Sequence, residues 1–189
     1  MKKLGLLGTI MLLLLLLLCG CHEDTRMADL QQQYRMITSA QLSAEVVCHS
    51  ASENRVFTVA CSYDKEQGAT TSITAPEEVK GISATVSGDR LTVTYDGTIL
   101  SAGEPADICP ANCLPYLLYA ATDGYVTEWG TEILEDTECL RAAFDTTAGS
   151  GEKILCTVWF DGNHLPIYAE FSQNDRVILT ARMLAFESK

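Results

Sequence analysis

The chain has 189 residues, 47% of them hydrophobic, and carries 13 Lys or Arg against 25 Asp or Glu for a formal net charge of −12. That length suits one domain with a sizeable core. So acidic a chain, with no basic cluster, is repelled by nucleic acid and by anionic headgroups, which excludes both as partners and leaves a cationic peptide, a metal ion or an uncharged apolar ligand open.

The first element is a leader. Lys2 and Lys3 precede an apolar run from Leu4 through Leu18, and Leu18-Cys19-Gly20-Cys21 follows. The order predicts an export signal closing on a lipobox, because the run is too short and one-sided for a stable span. The lipoprotein type of signal peptidase needs a small residue before the modified cysteine. Gly20 meets that need before Cys21, and Leu18 does not before Cys19. The expected organisation is a signal peptide at 1–20, a lipidated anchor at 21–24 beginning with Cys21, and a single domain at 25–189. An ordinary secretory signal with an incidental Cys21 is the alternative. A diacylglycerol thioether plus an amide-linked acyl chain, palmitate in kind, would hold the mature chain on the outer face of the cytoplasmic membrane without a span. Removing 20 of 189 residues leaves 169, with 11 basic side chains against 25 acidic ones, a net of −14.

From Thr25 to Ala40, Met27, Leu30, Tyr34 and Ile37 recur at helical spacing, which predicts an amphipathic helix packed on its own domain. The period then changes to two. Leu42, Ala44, Val46 and Cys48 alternate with polar neighbours, and beyond the turn Ser50–Asn54 the residues Phe57, Val59, Cys61 and Tyr63 share a face, as in an antiparallel hairpin. Strands are expected at Thr70–Thr74, Ile82–Val86, Leu91–Tyr95 and Thr98–Leu100. The excursion Ser101–Pro115 holds Gly103, Pro105, Pro110 and Pro115, and a short helix follows at Tyr116–Ala121. Strands resume at Thr131–Leu134, Cys139–Phe144, Lys153–Phe160, Ile167–Ser172 and Arg176–Phe186.

This succession predicts an α+β fold. Its core is a strongly curved antiparallel sheet, an open half-barrel of about ten strands, wrapped over one N-terminal helix and one inserted short helix. Such a sheet leaves an apolar hollow that helices plug or a ligand fills, with Phe57, Val59, Leu91, Val93 and Tyr95 expected to line it.

The turn Ala75-Pro76-Glu77, the strand Gly81-Ile82-Ser83-Ala84-Thr85, the run from Leu91 to Tyr95-Asp96-Gly97 and the hairpin from Trp159-Phe160-Asp161 to Leu165-Pro166-Ile167-Tyr168-Ala169-Glu170 carry a resemblance over most of the mature chain. The chain resembles the LolA/LppX-like bacterial lipoproteins, nearest to the Gram-positive germination lipoproteins of the GerS type. The resemblance implies an open barrel of antiparallel strands around helices. It also implies either carriage of lipids or acylated lipoproteins, or partnership with a cell-wall amidase. A protein with its own lipobox does not shuttle freely between membranes, and the family's lid-fastening arginine has no counterpart here. Only the lipidated cysteine, Cys21, carries over.

Other chemistry is sparse. His22, His49 and His164 form no His-x-x-x-His pair, and Cys48-His49 places neighbouring side chains on opposite strand faces, so no metal or other cofactor is expected. Cys109-Pro110-Ala111-Asn112-Cys113 has one residue too many for a thioredoxin-type motif, leaving a local bridge or two thiols. The six cysteines beyond Cys21 allow fifteen connectivities. A turn near Ser52 pairs Cys48 with about Val56, so a bridge from Cys48 to Cys61 needs a shifted register. A hairpin centred between Thr147 and Ala148 sets Cys139 opposite Cys156, the expected disulfide, the alternative being two buried thiols. The acids Glu77-Glu78, Glu132, Glu135-Asp136 and Glu138 read as solvated turns and edges. Neither a Gly-x-Ser-x-Gly nucleophile motif nor a phosphate-binding glycine loop is present.

The expected function is therefore non-catalytic: a membrane-anchored extracytoplasmic lipoprotein that docks a cell-envelope protein or binds an apolar ligand. The alternatives are a carrier of the LolA/LppX kind and a carboxylate-dependent envelope hydrolase. The last requires Glu132, Glu135 or Glu170 to gather about one pocket.

Overall fold

The computed structural model describes residues 25–50, 53–87, 90–103, 108–147 and 153–189. The leader 1–20, Cys21 and the rest of the anchor to residue 24 lie outside the described residues.

Helix α1 spans Arg26–Met36 and buries Met27, Leu30 and Tyr34. It ends before the expected Ala40 because Ile37 turns extended and Ser39 enters a strand, where it faces Asp64. Pairing along a whole strand outweighs one further helical turn. Strands β1 (Ser39–Cys48), β2 (Arg55–Asp64), β3 (Gly68–Ala75), β4 (Ser83–Ser87), β5 (Arg90–Tyr95) and β6 (Thr98–Gly103) follow as a meander. Helix α2 spans Cys113–Asp123, three residues earlier than the sequence suggested, since Pro115 falls in its first turn where no N–H is needed. Strands β7 (Tyr125–Leu134), β8 (Thr137–Thr147), β9 (Lys153–Phe160), β10 (Pro166–Gln173) and β11 (Arg176–Ser188) complete the chain. A bulge between Val126 and Glu128 breaks the alternation at the start of β7, hiding that strand's first half from a period-two reading.

Among the described residues, eleven strands form one open sheet in the order β6-β5-β4-β3-β2-β1-β11-β10-β9-β8-β7. The first and last strands meet in its middle, and β6 and β7 form its two edges. Between those edges the chain crosses one face by way of α2. The sheet must bend to meet it: α2 packs against β2 and β3 and also against β8 and β9. In a flat sheet β3 and β8 would stand roughly 29 Å apart, about six strand spacings, whereas an eleven-residue helix is only about 16 Å long. The result is an open half-barrel holding α1 and α2 on its concave face.

Register carries that face across the sheet. Leu42, Ala44 and Val46 on β1 align with Val59 and Cys61 on β2, with Ala181 on β11, and through β10 with Cys156 and Val158 on β9. These residues, with Leu30, Tyr34, Leu114 and Leu117 from the helices and Phe144, Phe160 and Phe171 from the strands, make one continuous core. The hollow expected from the sequence is thus largely filled by the protein's own helices.

Register also corrects the expected disulfide. Phe144, not Cys139, stands opposite Cys156, and Cys139 pairs with Glu132 of β7. Five residues separate 139 from 144, about 16 Å along a strand, and the odd offset puts the two sulfurs on opposite faces. The pairing of β8 with β9 centres near residue 150 rather than between Thr147 and Ala148, so Cys139 and Cys156 are both thiols.

Candidate functional site

Helix α2 is apolar almost all round: Leu114, Leu117, Leu118, Ala120 and Ala121 are buried, as befits a helix enclosed by a sheet. Two side chains of α1 fasten its far end. Gln31 donates to the Gly124 carbonyl at 2.9 Å, and the Arg35 guanidinium meets the Asp123 carboxylate at 3.3 Å. Gly124 is required there, because a Cβ would fall 2.5 Å from the Ala120 carbonyl oxygen and 2.9 Å from the Phe144 Cβ.

Where α2 leans over β2, β3 and β4, packing is incomplete. A cleft of about 210 Å³ opens between Pro115, Leu118, Tyr119 and Thr122 on the helix and Tyr63, Ala69 and Val86 on the strands, with Asp123 and Gly68 at its margin. Tyr119 stands at the mouth, 54% exposed, whereas Leu118 behind it is buried. Burial, reinforced by Asp64 and Asp123, raises the Tyr63 phenol above its ordinary pKa, so the wall stays uncharged. An apolar group fits this setting and a charged one does not.

Gly68 shapes the same cleft. It opens β3 at φ +92°, and a Cβ there would sit 2.2 Å from the Val86 carbonyl oxygen. Replacing Gly68 by Ala forces β4 away from β3 and is expected to cost about 3 kcal/mol, read as a fall in the urea midpoint. An unchanged midpoint would show that the two strands need no such close approach.

A second, polar recess of about 190 Å³ lies among Arg26, Thr131, Glu138, Cys139, Leu140, Asp161, Gly162 and His164. Two of its wall side chains have partners: Arg26 stacks 5.0 Å from the Trp129 ring centre, and His164 Nδ1 lies 2.9 Å from Gln33 Oε1. Asp161 accepts the Asn163 and Leu165 amides, both at 2.8 Å.

The sequence-derived candidates fall as follows. Register puts Phe57, Val59, Leu91, Val93 and Tyr95 on the concave face, yet none of the five lines the cleft. Val59 is sealed in the core, while Phe57, Leu91 and Val93 are half-buried and Tyr95 is exposed. The cleft draws instead on Tyr63, Ala69 and Val86, whose alternation was readable, and on α2, whose path across the sheet was not. Glu132 faces Arg141 at 3.5 Å, and Glu135 grips Arg182 through two hydrogen bonds of 2.6 and 2.8 Å, which lower its pKa. Glu170 belongs to β10, facing Thr157 and Thr180. These three carboxylates converge on neither cleft. His49 Nε2 lies 3.3 Å from the Thr180 hydroxyl, and among the described residues no three His, Cys, Asp or Glu side chains are placed to hold a metal.

No family model and no curated protein matches the chain. Solved structures do. An outer-membrane lipoprotein-sorting protein domain from Vibrio parahaemolyticus aligns at 10% identity over 87% of this chain and 91% of its own, with a TM-score of 0.50. A DUF1329 family protein from Desulfovibrio piger aligns at 10% identity over the same shares, 87% and 91%, with a TM-score of 0.52. A chain from the complex of the CwlD amidase with the GerS lipoprotein of Clostridioides difficile aligns at 14% identity over 90% of this chain and 98% of its own, with a TM-score of only 0.41. Likeness at these identities speaks for architecture alone, and by that measure the chain has a LolA-like fold.

Proposed function

We propose that the protein is a lipid-anchored, non-catalytic binder on the outer face of the cytoplasmic membrane, holding one small apolar group in the cleft between α2 and β2, β3 and β4. The apolar cleft in a LolA-like fold is the observation that carries this reading. Its 210 Å³ fall below the roughly 300–1,000 Å³ of ordinary ligand pockets, so a single chain end or ring suits it better than the several tails of an acylated lipoprotein. That size, together with the expected anchor at Cys21, favours binding in place over carriage between membranes. The dispersed carboxylates favour binding over hydrolysis.

A second reading, docking of an envelope protein, draws on strand β7. It closes one edge of the sheet and leaves Tyr125 75% and Ile133 72% exposed. An open edge with apolar side chains is a surface on which another strand can pair.

Purification from a membrane fraction, followed by mass spectrometry of both bound small molecules and associated proteins, separates the readings. The parent protein is expected to retain an apolar molecule that a Tyr119→Glu variant retains about tenfold less, because the new carboxylate sits at the cleft mouth and resists desolvation. A protein partner held equally by both would favour docking along β7. Absence of any apolar molecule from the parent would overturn the binder.

A further inference from the structure

Helix α1 begins next to the expected anchor. Arg26 follows Cys21 by five positions (26 − 21), at most about 18 Å of fully extended chain. Acyl tails on Cys21 would fix that residue at the base of a headgroup layer about 6 Å deep, so the helix starts within about 12 Å of the layer's outer surface. Arg26 is also a wall of the polar recess, stacked on Trp129 of β7 and donating to the Thr131 hydroxyl at 3.4 Å. The recess therefore belongs to the end of the half-barrel nearest the membrane. The apolar cleft belongs to the other end: Arg35, nine positions (35 − 26) and about 14 Å further along α1, holds Asp123 at the cleft's margin.

The far end of the β7–β8 hairpin completes that end of the molecule. Trp129, Thr131 and Ile133 alternate on the concave side of β7, opposite Ala142, Leu140 and Glu138 of β8. Trp129 packs half-buried against the core, whereas Ile133, two residues beyond the recess wall at Thr131, is 72% exposed. An indole under a guanidinium with an aliphatic side chain beyond it follows the order of groups at a membrane surface, aromatic at headgroup level and aliphatic deeper. Charge selects the kind of surface. Glu132 and Glu135 are paired with Arg141 and Arg182, but Asp136 and Glu138 meet no ion-pair or hydrogen-bond partner among the described residues. Glu138 and Asp161 line the recess together with Arg26, so it offers both signs of charge within about 190 Å³. Open carboxylates repel an anionic headgroup and accept hydrogen bonds from a primary ammonium, whereas a quaternary ammonium has no N–H to give.

We infer that this end of the half-barrel rests on the bilayer that carries the anchor, with Ile133 inserted to the base of the headgroup layer and the recess receiving the ammonium and phosphate of an ethanolamine-type zwitterionic headgroup. The inference rests on the lipid anchor proposed above. The contact orients the protein rather than holding it, because one aliphatic side chain offers far less apolar area than two or three acyl tails. It turns the cleft between α2 and β2, β3 and β4 away from the membrane, so the apolar group held there arrives from the envelope side and not from the bilayer beneath.

The mature protein, purified from the membrane fraction and its mass measured, is reconstituted into vesicles of phosphatidylcholine alone, with phosphatidylethanolamine, or with phosphatidylglycerol, each with and without bromine on the upper acyl chains. Trp159 is buried on the opposite face of the sheet, so quenching by bromine reports Trp129, and a Trp159→Phe variant isolates that signal. Quenching is expected to be about twofold with phosphatidylethanolamine, weaker with phosphatidylcholine alone and weakest with phosphatidylglycerol. Ile133→Ser is expected to lose at least about half of it with no change in thermal midpoint, since the side chain is exposed. Glu138→Gln is expected to remove the preference for phosphatidylethanolamine over phosphatidylcholine. Amide exchange of residues 129–138, which needs no substitution, is expected to slow about tenfold in phosphatidylethanolamine vesicles relative to detergent. An acylated protein with Trp129 unquenched and 129–138 unprotected overturns the membrane face and leaves the anchor standing. Quenching undiminished by Ile133→Ser overturns the insertion, and equal quenching in all three vesicles overturns the headgroup. Membrane-fraction protein without acyl mass on Cys21 overturns the anchor instead.

Discussion

Replacing Phe160 by Ala is expected to lower the stability of the fold by about 4 kcal/mol, and with it the urea midpoint by about 2 M. Phe160 is fully buried at the end of β9, paired with Leu140 on one side and Pro166 on the other. Its ring meets Tyr34 of α1 edge-on, with centres 5.7 Å apart, and Phe144 of β8 at 6.5 Å. The one side chain therefore joins α1 to β8, β9 and β10, and truncation removes both aromatic pairs while leaving a cavity that three strands and a helix cannot all close upon. Tyr34 would suffer with it, because its hydroxyl is aimed at the His164 carbonyl at 3.0 Å by the same packing. For a domain whose whole stability lies near 5–15 kcal/mol, such a loss is a large fraction. Leu184→Ala serves as the contrast: Leu184 is 59% exposed on β11, and its truncation is expected to cost less than about 0.5 kcal/mol. A Phe160→Ala midpoint close to that of Leu184→Ala would show that α1 is not clamped to the sheet through this ring.

Replacing Cys21 by Ala is expected to move the protein from the membrane fraction to the medium, or to leave it as unprocessed precursor. The physical reason is the number of tails. A single fourteen-carbon chain binds a bilayer only marginally, with an association constant of about 10⁴ M⁻¹, whereas two or three chains, at roughly 0.8 kcal/mol per buried methylene, hold lastingly. The rest of the protein offers little to replace them. No described helix is long and apolar enough to cross a membrane, and an acidic surface is repelled by anionic headgroups. Fractionation followed by intact-mass measurement reads the result. A variant still tethered and cut at residue 21 would refute the lipobox.

The strands were legible where one face is buried and the other wet. On β1 and β2 the alternation of Leu42, Ala44, Val46, Val59 and Cys61 with polar neighbours matches the observed burial, because a side-chain period of two is the direct imprint of a one-sided core. Legibility failed where the backbone departs from that period. The bulge at Val126 and Glu128 hid the first half of β7, and the register that pairs Thr147 with Lys153 sets Phe144 rather than Cys139 opposite Cys156. Helix α2 was placed three residues late for a local reason: a proline in the first turn looks like a terminator although it costs the helix nothing there.

Taken by itself, the amino-acid sequence predicted a leader closing on a lipobox and one acidic domain, and it carried the alternation that makes an antiparallel sheet and the amphipathic spacing of the first helix. All of these depend on the identity of neighbouring residues, through desolvation of one face or recognition of a short segment. The tertiary structure alone decided that the first and last strands meet in mid-sheet, that the chain crosses from one edge to the other through α2, and that this crossing fills much of the hollow while leaving a cleft beside Tyr63, Ala69 and Val86. The same crossing brings cysteines from β1, β2, β9 and the first residue of α2 into one core. Such meetings depend on how far a sheet bends around a helix, and bending is a property of the packed whole rather than of any segment.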